Sequence, residues 1–229
     1  MTDVLAISRL SWRKCYRIIP SRFPPVNLFD RIAPEKDSQI LGEVETFTND
    51  RVRQEIGEVQ HVRPEDVVGG KGASYIMAPF THPDPCGDRF SDGSYGVLYA
   101  SESFQDAVKI SIRRREEFLR HTNETKMQIQ MRVLQLDLEG VFHDLRGAPA
   151  NDYGDPSKLR TLARELRENG SYGLICDGSA ALSGTHAVVF RPSVLSNCIQ
   201  ERHLQYLWDG KRITRVYDYS TGQFLDLGP

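Results

Sequence analysis

Three features of the sequence predict a mixed α+β domain. Short apolar runs with strand character outnumber amphipathic helical stripes, and no regular alternation of strand and helix appears of the kind that builds a doubly wound parallel sheet. The 229 residues, 39% hydrophobic and 26% charged, supply enough apolar surface for a sizeable core and have a globular composition. No internal repeat, low-complexity tract or Gly/Ser linker divides the chain, which predicts a single domain over residues 1–229.

Tyr16 to Ile19 reads as a short strand stopped by Pro20, with Pro24-Pro25 forcing an extended or turning backbone. From Glu35 to Phe47, Ile40, Leu41, Val44 and Phe47 recur at helical spacing and predict an amphipathic helix, followed by a turn within Asn49 to Gly57. Val59 to Val62 and Val67-Val68 suggest extended pieces. The apolar run Tyr75 to Phe80, after Gly69-Gly70-Lys71-Gly72, predicts a strand entering the turn-rich stretch Thr81 to Asp88. Tyr95 to Ala100 is a compact strand, and Ser103 is placed to cap a helix running to about Leu119 on Phe104, Ala107, Val108 and Ile112. Met127 to Leu138 alternates as a strand, and Gly140 separates it from a second extended piece, Val141 to Leu145. Pro156 to Asn169 carries Leu159, Leu162, Ala163 and Leu166 on one helical face with Gly170 in the stop position. Tyr172 to Cys176 and Ala187 to Phe190 are short buried strands around a polar loop, and Arg212 to Tyr217 is the last strand.

Twenty-nine Lys+Arg against thirty-one Asp+Glu leave a formal charge of -2, so no global basic surplus drives phosphate-backbone binding and no direct nucleic-acid role is expected. The local run Arg113-Arg114-Arg115 reads as a solvated basic face. No apolar run reaches the roughly 20 residues that span a bilayer, and Met1 to Cys15 lacks a secretory hydrophobic region, so a cytoplasmic protein without a membrane partner is expected. Cys15, Cys86, Cys176 and Cys198 are far apart and form no C-x-x-C pair, which points to small core residues in a reducing compartment and to no metal site.

A P-loop, a zincin helix and a nucleophile elbow are all missing from the sequence. The Gly69 to Gly72 cluster lacks the Lys-Ser/Thr that opens a phosphate-binding helix and reads as a turn. Arg89, in a Gly-containing turn, is followed ten residues later by Tyr99 at the end of a short strand. A guanidinium presents a planar fork matched to phosphate or carboxylate, and an aromatic ring stacks on a flat heterocycle, so the pair suits a dinucleotide. Equally, an arginine in a turn fits a surface ion pair and a strand tyrosine fits half-buried packing. His82 reads as a turn or cap residue, His143 forms a local polar cluster with Asp144 and Arg146, and His186 and His203 carry no signal in the sequence.

The segment Arg89-Phe90-Ser91-Asp92-Gly93-Ser94-Tyr95-Gly96-Val97-Leu98-Tyr99-Ala100 resembles the arginine-turn-strand motif of the RES domain family. Cys15 to Pro25 looks like the opening of the longer RES proteins, and Glu43 to Arg51 and Met77 to His82 resemble parts of their insertion, here about residues 24–80, between the two site arginines. Gly173-Leu174-Ile175, Ala187 to Pro192 and His203 to Ile213 are similar to the closing strands and tail, so the likeness spans nearly the whole chain.

That resemblance implies a fold similar to ADP-ribosyltransferases and a bacterial toxin that consumes NAD as a substrate, with no permanently bound cofactor. Its activity would be NAD phosphorylase, NAD glycohydrolase or ADP-ribosyltransferase: cleavage of the nicotinamide–ribose bond with ADP-ribose passing to phosphate, water or a protein. It also implies an Xre-type antitoxin as partner and a possible homodimer. By the same resemblance, Arg17 and Arg89 hold the diphosphate and Tyr99 packs against nicotinamide or its ribose. Two positions depart from the family. Eleven residues after Tyr99, where the family has a glutamate, the chain has Ile110; Glu102, Asp106, Glu116 and Glu117 are the nearest acids. The family serine aligns with Gly178, and a one-residue slip supplies Ser179 as the candidate. Both departures invite a second reading, a catalytically impaired RES-fold protein that binds a nucleotide or a protein partner without turnover.

Overall fold

The computed structural model describes residues 5–22, 30, 57, 59–146, 155–177 and 184–226. Eight strands and three α-helices are formed among them: β1 (Ala6–Pro20), α1 (Ala73–Thr81), β2 (Leu98–Ser101), α2 (Phe104–Arg120), β3 (Met127–Asp144), α3 (Pro156–Glu168), β4 (Gly173–Asp177), β5 (Thr185–Val189), β6 (Leu195–Trp208), β7 (Ile213–Asp218) and β8 (Gln223–Phe224). The strands join one sheet in the order β1-β2-β5-β4-β3-β6-β7-β8. An additional β1–β3 pairing curls the first five into a closed ring, which protects their edges. Every pairing is antiparallel except β3 with β4, so the sheet is mixed and the class is α+β.

Strand alternation separates the two faces of the ring. On β5, Ala187 and Val189 join one core while Val188 joins another. The first core sets Cys15, Leu134, Leu136, Leu138 and Ile175 against Ile76, Met77 and Phe80 of α1. The second sets Leu174 and Val188 against Leu159, Ala163 and Leu166 of α3, with Phe90, Tyr95 and Tyr99 on the same face. The third packs Val108 and Leu119 of α2 on Met131, Val133, Leu204, Tyr206 and Val216 of the sheet extension.

The helices with the strongest local signals form as the sequence predicts. Ser103 caps α2: its hydroxyl accepts from the Asp106 N–H at 3.1 Å and donates to the Asp106 carboxylate at 2.5 Å. Asp155 caps α3 by accepting from the Ser157 N–H, Pro156 sits at its first position, and Gly170 at φ 82° ends it, with the Ser171 N–H bonding back to the Leu166 carbonyl.

Elsewhere the structure corrects the sequence reading. Tyr75 to Phe80 lies in α1 rather than in a strand: Asp30 accepts from the N–H groups of Gly72 and Ser74 and satisfies the helix start from across the chain. A short apolar run buried on most of its faces has no period that separates strand from helix. Val59–His61 and Pro64–Asp66 are 3-10 turns, and Val67-Val68 pairs with no strand. Gly140 does not interrupt β3, where it pairs with Leu10; Val194 and Phe142 fill the space at its Cα. β1 starts ten residues before Tyr16, and β6, 14 residues long, had no counterpart in the sequence reading because two register shifts, one beside Asn197 at φ 50° and one between Gln200 and Arg202, break its alternation. The helix expected over Glu35 to Phe47 lies outside the described residues.

Candidate functional site

Arg89 stands on a turn whose backbone is fixed by its own side chains. One oxygen of Asp88 accepts from the N–H groups of Phe90 and Ser91 at 2.8 and 2.9 Å, and the Asp88 N–H donates to the Ser91 carbonyl at 2.7 Å. The Ser91 hydroxyl donates to the Tyr95 carbonyl and accepts from the Gly93 N–H, while the Tyr95 hydroxyl donates to the Phe90 carbonyl at 2.7 Å. Gly87 and Gly93 supply the positive φ values of 69° and 94° that these reversals need, and a Cβ at either would strike backbone.

A row of arginines on α3 grips this turn from outside. Arg160 donates through Nε to the Asp88 carbonyl at 2.6 Å, Arg164 pairs with Asp92, and the Arg167 guanidinium lies 4.7 Å from the centre of the Tyr95 ring. Their spacing puts all three on one helical face, so α3 buries its apolar stripe in the second core and directs its basic stripe at the turn. The Arg89 side chain stays exposed, with its guanidinium 5.6 Å from the Phe90 ring centre.

Tyr99 extends from β2 on the same face. Its ring meets Phe90 at 6.1 Å between centroids, and the Arg114 guanidinium from α2 lies 3.7 Å from its centroid. The Tyr99 hydroxyl is closed off from solvent and lies beside Asp88 and Arg114 without meeting either in hydrogen-bond geometry. Burial pushes its pKa well up, Arg114 opposes that rise, and Asp88 adds to it.

Arg17, two positions after the buried Cys15 on β1, reaches the same group. Burial, then the like charge of Arg114, lowers its pKa to about 10, against the pull of Cys198, Tyr99 and Asp88. Arg89 and Arg114 both bear on Cys176, a side chain packed with Tyr99 in the second core; burial raises that thiol to about 11 and the two arginines oppose the rise. Tyr99 thus shares its surroundings with Arg17, Arg114 and Asp88, and Arg89 acts with Arg114 and Asp177 on the neighbouring Cys176. Among the described residues no carboxylate forms an ion pair with Arg17, Arg89 or Arg114.

Of the acids nearest the family glutamate position, Asp106 and Glu116 are engaged elsewhere. Asp106 is bound to its cap Ser103 and abuts Gly184, where a Cβ would meet its carboxylate. Glu116 accepts from the Ile213 N–H and pairs with Arg120, Glu102 lies within electrostatic reach of Arg146, and Glu117 is exposed. Ile110 is half-buried on α2, one turn before Arg114. Gly178 and Ser179 lie outside the described residues.

The basic run on α2 is solvated at Arg113 and Arg114, which are exposed, but not at Arg115. Arg114 stacks on Tyr99, and Arg115 is half-buried near Phe118, its pKa lowered by burial and by Arg22. Gly69 to Gly72 forms the turn that leads into α1, where Asp30 takes N–H groups at the helix start and Gly72 abuts the Cys198 carbonyl. His82 bonds Thr81, His143 bonds Ser171, His186 bonds Ser101, and His203 lies between Ser21 and Gln200. Asp144 and Arg146 form an ion pair that holds the Asp144 carboxyl down to about 2. All four cysteines are free thiols, and no cluster of His, Cys, Asp or Glu suited to a metal occurs among the described residues. No helix among the described residues is long and apolar enough to cross a membrane.

Two residues of this neighbourhood escaped the sequence reading of the site. Asp88 immediately precedes Arg89, and its place in an Asp-x-x-Ser turn was the available signal. Arg114 lies four residues after Ile110, a spacing that shares a helix face, but its neighbours Arg113 and Arg115 made the run look solvated.

A family model described as the RES domain matches residues 64–209, a span that includes Arg89, Tyr99, Ile110 and Arg114. An uncharacterized protein of Sinorhizobium fredii is 34% identical over 206 residues, covering 89% of this chain and 86% of its own length. The structure of the Mycobacterium tuberculosis MbcT-MbcA toxin-antitoxin complex holds a similar chain at 14% identity, with a TM-score of 0.43 and coverage of 85% and 86% of the two chains, too distant to carry an argument. With its arginine turn, its strand tyrosine and a family match over more than half its length, the chain belongs to the RES domain family.

Proposed function

We propose that this protein is an NAD-consuming toxin of a bacterial toxin-antitoxin pair, acting in the cytoplasm and held inactive by an Xre-type antitoxin. The observation that supports this reading is a set of guanidinium groups that, among the described residues, form no ion pair with a carboxylate and lie around a half-buried tyrosine. Holding unpaired cations together costs free energy, and a bound anion repays it. Arg17 and Arg89 would take the diphosphate of NAD, and Tyr99 would lie beside nicotinamide or its ribose, with Ser179 as a further pocket residue. Because Arg114 covers one face of Tyr99, the ligand meets the Arg114–Tyr99 pair rather than a bare ring.

In the reaction, the C1′–N bond breaks with its electron pair passing to nicotinamide, which leaves neutral. The oxocarbenium-like ribose is then captured at C1′ by phosphate, by water that gives up a proton, or by a protein side chain. The fixed turn preorganises Arg89 for the diphosphate, so that binding energy from the remote part of the dinucleotide aligns the reacting bond.

Purified protein incubated with NAD, with and without inorganic phosphate, is expected to release nicotinamide, and Arg89→Ala to lower the rate by about 100-fold or more. Release unchanged by Arg89→Ala would refute this site. The second reading, nucleotide binding without turnover, is favoured by Ile110 where the family has an acid and by a cation one turn further on. Tight NAD binding without nicotinamide release in the same experiment selects it.

A further inference from the structure

We propose that Arg114 is a third anion-binding side chain of this site and that it tunes the site to a diphosphate over a single phosphate group. The inference rests on the dinucleotide reading above and extends it to a residue that the family resemblance does not assign. Arg114 stands 3.7 Å from the Tyr99 ring centre, in the same neighbourhood as Arg17 and Arg89. Stacking satisfies the face of a guanidinium and leaves its N–H donors at the rim, where planar recognition of phosphate oxygens takes place. No carboxylate pairs with it among the described residues, and the Tyr99 hydroxyl below it is buried without a hydrogen bond.

Charge balance points the same way. Arg17, Arg89 and Arg114 set three guanidiniums against the Asp88 and Asp177 carboxylates, a net charge of three minus two, or +1, which favours an anion. A single phosphate group engages two guanidinium forks, whereas a diphosphate offers a second phosphate group to the third. Burial lowers the Arg17 pKa most, and Arg114 is the largest charge that lowers it further. The placement also inverts the helix face on which the family carries a negative charge, since Ile110 is neutral and Arg114 follows one turn later.

The test compares wild type, Arg114→Gln and Arg114→Lys by titration calorimetry with inorganic pyrophosphate, inorganic phosphate, ADP-ribose and AMP, at low and high salt. Arg114→Gln is expected to weaken pyrophosphate and ADP-ribose about tenfold or more and phosphate and AMP about twofold or less. Arg114→Lys, which keeps the charge and loses the fork, is expected to recover part of that loss, with the recovery shrinking at high salt. A merely structural loss of the ring contact would weaken all four ligands alike and overturn the proposal, as would unchanged ADP-ribose binding in Arg114→Gln. If wild type binds pyrophosphate but not ADP-ribose, the dinucleotide reading fails while the selective loss of pyrophosphate in Arg114→Gln still upholds the role of Arg114. If wild type binds none of the anions, both fall.

Discussion

The turn that carries Arg89 and the face of α2 that carries Arg114 meet at Tyr99, and they are built in opposite ways. In the turn, Asp88, Ser91 and Tyr95 bond its backbone, and α3 adds Arg160, Arg164 and Arg167 from outside. On α2 the half-buried Ile110 is followed by an arginine stacked on the Tyr99 ring, and on β1 the Arg17 side chain has neither an ion pair nor a hydrogen bond among the described residues. The contrast separates scaffold from recognition. A backbone satisfied internally fixes position, whereas cations left unpaired keep their donors for a ligand at a cost to stability.

The largest effect expected on the scaffold side comes from Gly96→Ala. A Cβ there would lie 1.7 Å from the Pro79 carbonyl oxygen of α1, and neither backbone can yield cheaply. A loss of about 3 kcal/mol in urea denaturation is expected, and a loss under about 1 kcal/mol would show that the turn is softer than its bonding implies.

Arg160→Ala removes the donor to the Asp88 carbonyl and should cost about 1 kcal/mol of stability. Because it acts through the position of Arg89, it should also raise the NAD dissociation constant several-fold and leave inorganic phosphate binding nearly unchanged. Equal weakening of both ligands would mean that α3 supports the fold alone.

The recognition side should respond with the opposite sign. Arg17 is a base whose pKa in the folded chain is lowered to about 10 by burial and then by Arg114, so folding disfavours its charged form. That cost is fully present below about pH 10 and is relieved as pH rises through that value towards the ordinary arginine pKa. Arg17→Met is therefore expected to gain up to about 1 kcal/mol of stability at pH 7, to lose NAD binding, and to converge with wild type above pH 10. A variant less stable than wild type at pH 7 would erase the distinction between the two regions.

Where local chemistry was sufficient, the elements were legible in the sequence. Ser103, and Pro156 with Gly170, marked α2 and α3 because caps act within a few residues. The strands β4 and β5 were legible from short apolar runs. By contrast, α1 is capped from Asp30, 42 residues before Gly72, and β6 takes its place from β3 and β7 across bulges that break its pattern. Family resemblance named Arg17, Arg89 and Tyr99. It did not name Arg114 or Asp88, whose relation to Tyr99 depends on how α2 and the turn settle on the sheet.

By itself the sequence determined the family, the class of fold and the ends of its best-capped helices, because these follow from residue order within short windows. Only the tertiary structure decided that an arginine seemingly made for solvent stacks on Tyr99, and that Arg17, far from it along the chain, shares its electrostatic field. Closure of β1 onto both β2 and β3 brings Arg17 into that neighbourhood, and such a contact is written in the pairing of strands rather than in any one segment.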